Sequence, residues 1–236
     1  MKDGNTCRLC LKSSELQESH IIPRAIIKLI RDEGLDNRFY ELRNKLTQKI
    51  QDGPKEYLLC DDCEQKIGRY EKYFIEAVHF SKHDIEIKHN RQFGIIDNLN
   101  YRKIKLFFLS LLWRMSISSL PEFENVCIGG NEETIRKMIV REEAGDSSEY
   151  SVIATILLFS QKMEEGLLTT AFVSKRRPSV YAIVLGGILY QISSAHQNSF
   201  FPAELLLNES DRWIMPLTDF YDIPFLREYI DHHFEQ

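Results

Sequence analysis

The chain of 236 residues sets 30 Lys and Arg against 35 Asp and Glu, a net charge of -5, and 43% of its residues are hydrophobic. That balance supports a packed core and argues against non-specific coating of nucleic acid or of an anionic membrane as the main activity. Residues 1–7 do not read as an export signal, and the apolar runs at 106–113 and 180–192 fall short of the roughly 18 residues a membrane span requires, so a cytoplasmic protein without a membrane partner is expected.

In chain order, the first feature is Cys7-x2-Cys10 in a polar turn. "LQESHIIPRA" comes next, and "PRAIIKLIRDEG" reads as a short helix with Pro23 in its first turn and Gly34 as its stop. A turn at Asp52-Gly53-Pro54 leads into a short strand, "EYLL", that runs into Cys60-x2-Cys63. From about Cys63 onward, Ile67, Tyr70, Phe74, Ala77 and Val78 recur at spacings of three and four, the period of an amphipathic helix.

Past residue 90 the texture changes. "YRKIKLFFLSLLWRMSISS" predicts a largely buried helix, and "GGNEETIRKMIVREE" a charged one capped by Asn131. The β-branched runs "YSVIATILLFS", "GLLTTAFVSKRR" and "VYAIVLGGILYQIS" predict an antiparallel meander, and "IPFLREYIDHHFEQ" a closing helix. The expected class is α+β: a small metal module over residues 1–92, then a mixed helix and antiparallel-sheet domain over 93–236, serving as scaffold, substrate-positioning surface or oligomer interface. Cys127, outside both pairs, is expected as a small buried apolar residue.

Four thiols in two C-x2-C pairs, in a chain without an export signal, suit a tetrahedral structural zinc ion held by Cys7, Cys10, Cys60 and Cys63. The alternative is thiol redox chemistry, although no strand-helix-strand unit surrounds either pair. On the residues alone, His20 reads as a structural histidine beside the metal. His79 and His83 are four apart with no third ligand in view, and His232 and His233 read as an exposed helix end. Arg24, Lys28, Arg31, Arg38, Arg43, Lys45 and Lys49 form a basic stretch that can track phosphates or simply be solvated.

A C-x2-C knuckle, a polar residue and His leading into "HIIP", and a strand ending in "LLC-x2-C" at a helix start together resemble the HNH branch of the His-Me finger endonucleases, over about residues 7 to 75. The resemblance implies a treble-clef ββα zinc module, His20 as the general base that activates water, and a Mg²⁺ or Mn²⁺ ion beside it. Glu64 falls where the family's helix supplies a ligand to that ion, and Ser19 where the family carries Asp; Glu64 itself replaces a histidine. Glu71, two turns further along, reads as a solvated face. The activity implied by the resemblance is that of a metal-dependent nuclease acting on nucleic acid, DNA rather than RNA, with a looser association with antiphage defence. The rival is a non-catalytic zinc-finger module binding nucleic acid or a protein partner within a larger assembly; a protein partner or a homo-oligomer is the further partner expectation.

Overall fold

The structure is a computed structural model and describes residues 6–33, 53–79, 86–88, 93–159, 162–163, 172–174, 177–196, 201–224 and 226. Two short strands, β1 (Leu16–His20) and β2 (Lys55–Cys60), form an antiparallel hairpin. Its register runs from Leu16 opposite Cys60 to His20 opposite Lys55, with a bulge between Gln17 and Glu18. Between the strands lies helix α1 (Arg24–Glu33). Gly53 enters β2 at φ +46°, a left-handed conformation that favours glycine. A side chain there would collide with Ile27 and come within 3.9 Å of the His20 ring.

Helix α2 (Asp61–Phe74) leaves β2 without a break, slightly ahead of the start that its apolar periodicity predicts. Asp61, Asp62 and Glu64 occupy its first turn, where the helix dipole favours negative charge. Cys63, Ile67, Tyr70 and Phe74 form its buried stripe.

Helix α3 (Tyr101–Ile117) is buried on every side over most of its length, as its sequence predicts. Asn100 caps it by accepting from the Lys103 amide at 3.0 Å. On one face Phe107 stacks on Phe74 of α2, with ring centroids 4.1 Å apart. Helix α4 (Asn131–Arg141) also packs on α3. Asn131 is not its cap: Gly130 holds that position, and Asn131 Oδ1 accepts from the Tyr150 hydroxyl at 3.1 Å.

A sheet lies against α3 as well. Its strands are β3 (Glu86–Lys88), β4 (Phe93–Ile96), β5 (Val152–Phe159), β6 (Lys162–Met163), β7 (Phe172–Ser174), β8 (Arg177–Leu185), β9 (Ile188–Ser193) and β10 (Trp213–Asp219). Their order is β3-β4-β10-β5-β9-β8-β7, with β6 alongside β5. The expected meander holds for β7, β8 and β9, the last two joined through Gly186 and Gly187, both at positive φ as a tight hairpin turn needs. β9 then pairs with β5, and β10 lies parallel to β5, so the sheet is mixed rather than purely antiparallel. Phe108 of α3 meets Tyr190 of β9 and Trp213 of β10 at 4.8 and 6.1 Å.

One continuous apolar cluster runs from Cys7 and Leu9 through α2 and α3 to Trp213 and Met215. The first strand of the large sheet, β3, lies before residue 93. Cys127, expected to be buried, is exposed, and its carbonyl accepts from the Tyr181 hydroxyl. The closing helix expected at residues 223–236 falls almost wholly outside the described residues.

Candidate functional site

The two cysteine pairs converge from the knuckle before β1 and from the junction of β2 with α2. The knuckle is held by the Leu11 amide donating to the Cys7 carbonyl, and the Arg8 amide fixes it to the hairpin at the Leu58 carbonyl, both at 2.9 Å. All four sulfurs lie within 4.8 Å of one another, and the Sγ atoms of Cys10 and Cys60 are 3.8 Å apart. A disulfide needs about 2.05 Å, and the cysteines are free. A zinc ion with Zn–S bonds of about 2.3 Å sets tetrahedral sulfurs about 3.8 Å apart, so the donor set and its spacing fit a bound metal such as zinc.

The electrostatics agree with that assignment. Burial raises the Cys60 and Cys63 thiols above their ordinary range, Cys63 further through the neighbouring Cys60. Burial also acts to raise Cys7, but backbone groups of Cys10, Cys60 and Leu9 outweigh it and bring that thiol down to about 7. A dication that replaces the protons relieves the desolvation of the Cys7, Cys60 and Cys63 sulfurs at once.

Ser19, His20, Glu64 and Glu71, also singled out in the sequence, lie where the end of β1 is tied to α2. Ser19, 1% exposed, donates its hydroxyl hydrogen to Glu64 Oε1, which links the end of β1 to the first turn of α2. His20 stands next, at the strand terminus, half-buried, against Gly53. Its carbonyl accepts from Arg114 Nη1 of α3 at 2.8 Å. The same guanidinium donates through Nη2 to Glu71 Oε1 at 2.6 Å. Glu71 is therefore not a solvated face, because it neutralises an arginine that is 1% exposed.

No family model, curated protein or solved structure matches the chain.

Arg114 and Arg136 are the residues that sequence reasoning passed over. Arg114 sits in the run "LLWRM", where a charge among apolar neighbours already signals a required partner. Arg136 of α4 donates to the Leu9 carbonyl of the knuckle while its other nitrogens hold Glu133. Glu56 of β2 adds a third tie, accepting from the Ser118 and Ser119 hydroxyls at 2.7 and 2.6 Å. Helices α3 and α4, with the turn after α3, thus grip the hairpin and its knuckle at backbone and carboxylate oxygens.

Beside the knuckle opens a cleft of about 670 Å³ lined by Arg8, Leu11, Tyr57, Trp113, Glu132 and Arg136. Leu11 and Tyr57 are 57% and 63% exposed. Of the basic stretch, Arg24 and Lys28 are exposed, and Arg38, Arg43, Lys45 and Lys49 lie outside the described residues. The side chains of Arg31 and His79, and residues His83, His232 and His233, lie outside them as well. Among the described residues, no helix is long and apolar enough to cross a membrane.

Proposed function

We propose that this chain is a metal-dependent, HNH-like endonuclease that hydrolyses phosphodiester bonds in nucleic acid, DNA in preference to RNA. Its zinc-bearing hairpin and helix form a treble clef in which Cys7, Cys10, Cys60 and Cys63 hold structural zinc. The observation that carries the reading is the hydrogen bond of Ser19, the residue before His20 on β1, to Glu64, the residue after Cys63 on α2, which ties the end of β1 to the helix that carries part of the cysteine cluster.

In this reading His20 takes the proton of the attacking water. An imidazole titrates near neutrality and accepts a proton at physiological pH, which carboxylates do less readily. The water oxygen bonds to phosphorus, the bond from phosphorus to the leaving oxygen breaks, and the proton resides on the His20 ring until solvent removes it. Glu64 and Ser19 offer the oxygen donors that Mg²⁺ or Mn²⁺ takes. Such an ion, when bound, stabilises the charge that develops on the leaving oxygen. The zinc is scaffold, fixing β1 against α2 so that base and ligand stay in register.

A second reading has an observation of its own. Ser19 already gives Glu64 a hydrogen-bond donor, and exposed Leu11 and Tyr57 border a cleft beside the knuckle. A zinc module that binds nucleic acid or a protein without cutting would have these features. The deciding experiment is incubation of purified protein with supercoiled plasmid, single-stranded DNA and RNA in Mg²⁺ or Mn²⁺, beside folded, zinc-replete His20→Ala. Cleavage by the wild type alone supports the nuclease; retention of nucleic acid without cleavage supports the binding module.

A further inference from the structure

Arg114 is an expensive residue where it stands. A guanidinium at 1% exposure in a helix that is otherwise largely apolar loses its hydration, and only well-placed acceptors offset that loss. The structure supplies three: Glu71 Oε1 at 2.6 Å, the His20 carbonyl at 2.8 Å and the Ser110 carbonyl at 3.4 Å. The Ser110 contact lies within α3 and orients the side chain. The other two belong to different elements of the zinc module, the terminus of β1 and the C-terminal half of α2.

Those two elements carry the two halves of the candidate site. His20 is the strand terminus itself, and Glu64 lies two turns before Glu71 on α2. The guanidinium is planar and its nitrogens are fixed in a fork, so holding both acceptors at once fixes the offset of the strand end from the helix. A lysine at 114 keeps the charge but has no such fork. Ser19 ties the same strand to the same helix through Glu64, so the backbone around His20 is tied to α2 twice, at Glu64 through the serine and at Glu71 through the arginine.

We propose that Arg114 is a positioning residue for the base: by clamping the His20 carbonyl to Glu71 it sets where the His20 imidazole stands relative to Glu64. In this role it acts through the residues it holds. This inference rests on the nuclease reading for its catalytic consequence, but the clamp itself is a statement about His20 and can be tested apart from cleavage.

The test uses the full, zinc-loaded chain as wild type, Arg114→Lys and Glu71→Gln, with zinc content and thermal unfolding measured on each. The first readout is the His20 ring proton–carbon NMR cross-peak at one pH, assigned by its loss in His20→Asn. It is expected to move in both variants while zinc stays bound. The second is cleavage kinetics, where kcat is expected to fall by about 10²-fold with KM within about twofold, as misplacement of a reacting group produces. A purely structural arginine would instead lower thermal stability and leave the His20 signal and kcat in place, which overturns the proposal. Glu71→Gln decides the matter if Arg114→Lys does not fold. If the wild type cuts nothing, the nuclease reading fails, and an unmoved His20 cross-peak then sinks the clamp separately.

Discussion

Ser19 on β1 and Glu64 on α2 share a hydrogen bond with the serine almost wholly buried, so the carboxylate faces a neutral donor where the resembling family places a second carboxylate. Ser19→Asp sets two like charges together. Without added divalent ion the repulsion should cost on the order of 1–2 kcal/mol and lower Tm by several degrees. With Mn²⁺ the loss should be recovered and cleavage should rise above wild type. Thermal unfolding across a Mn²⁺ titration checks this; a variant with no greater Mn²⁺ response than wild type would remove Ser19 and Glu64 from the ion site.

The cysteine cluster predicts about one zinc per chain by elemental analysis. Cys60→Ser and Cys63→Ser should each lose that metal and drop Tm by about 10 °C or more, because structural zinc contributes directly to folding free energy. A strong chelator should do the same to the wild type, and readdition of zinc should reverse it. Full retention of stability in the metal-free protein would count against a structural role.

Stacking of Phe107 on Phe74 joins α3 to α2. Phe107 is fully buried, so Phe107→Ala should cost about 3–5 kcal/mol by urea denaturation. Phe159, 40% exposed, should tolerate the same change at a cost under about 1 kcal/mol. Equal costs would mean that the helices are not held together through this ring pair.

Lys105 is buried with Nζ donating to the carbonyls of Glu149 at 2.6 Å and Asp146 at 3.4 Å. Burial lowers its pKa to about 8, against the opposing pull of Glu209, Asp146 and Glu149. Because the folded pKa lies below the unfolded one, the unfolded chain binds more protons between about pH 8 and the ordinary lysine value, and stability from this group rises with pH across that window. Below about 8 the cost of the buried charge is present in full. The stability difference between wild type and Lys105→Met should therefore shift in favour of wild type by about 3 kcal/mol between about pH 8 and about pH 10.5. Urea titrations of both proteins in parallel would show it, and a flat difference would refute it.

Strand β2, α2 and α3 were legible in the sequence because local signals define them: the Gly53-Pro54 turn before "EYLL", cysteine spacing, and apolar periodicity that becomes all-round burial between Leu106 and Met115, whereas β1 was implied only by the family resemblance. β10 was not, since Pro216 interrupts "WIMPLTD" and argues against a strand inside a sheet. Its place between β4 and β5 depends on partners far away in sequence. The same holds at the site. The residue types at positions 19, 20 and 64 could be named in advance, but Arg114 reaches Glu71 and His20 across 43 and 94 residues, and no local pattern records such a pairing. Only the charge stranded in an apolar run marked that something had to meet it.

The insertion of β10 between β4 and β5 also orders events on the ribosome. All four cysteines have been made by Cys63, whereas the sheet cannot close until Trp213–Asp219 has been added. At 5–20 residues per second, the intervening stretch of roughly 150 residues takes about 8 to 30 s to synthesise. For much of that interval the oily helix α3 exists without the sheet that covers it. A nascent chain interrupted before β10 should therefore be a chaperone client, able to hold metal and still prone to aggregate.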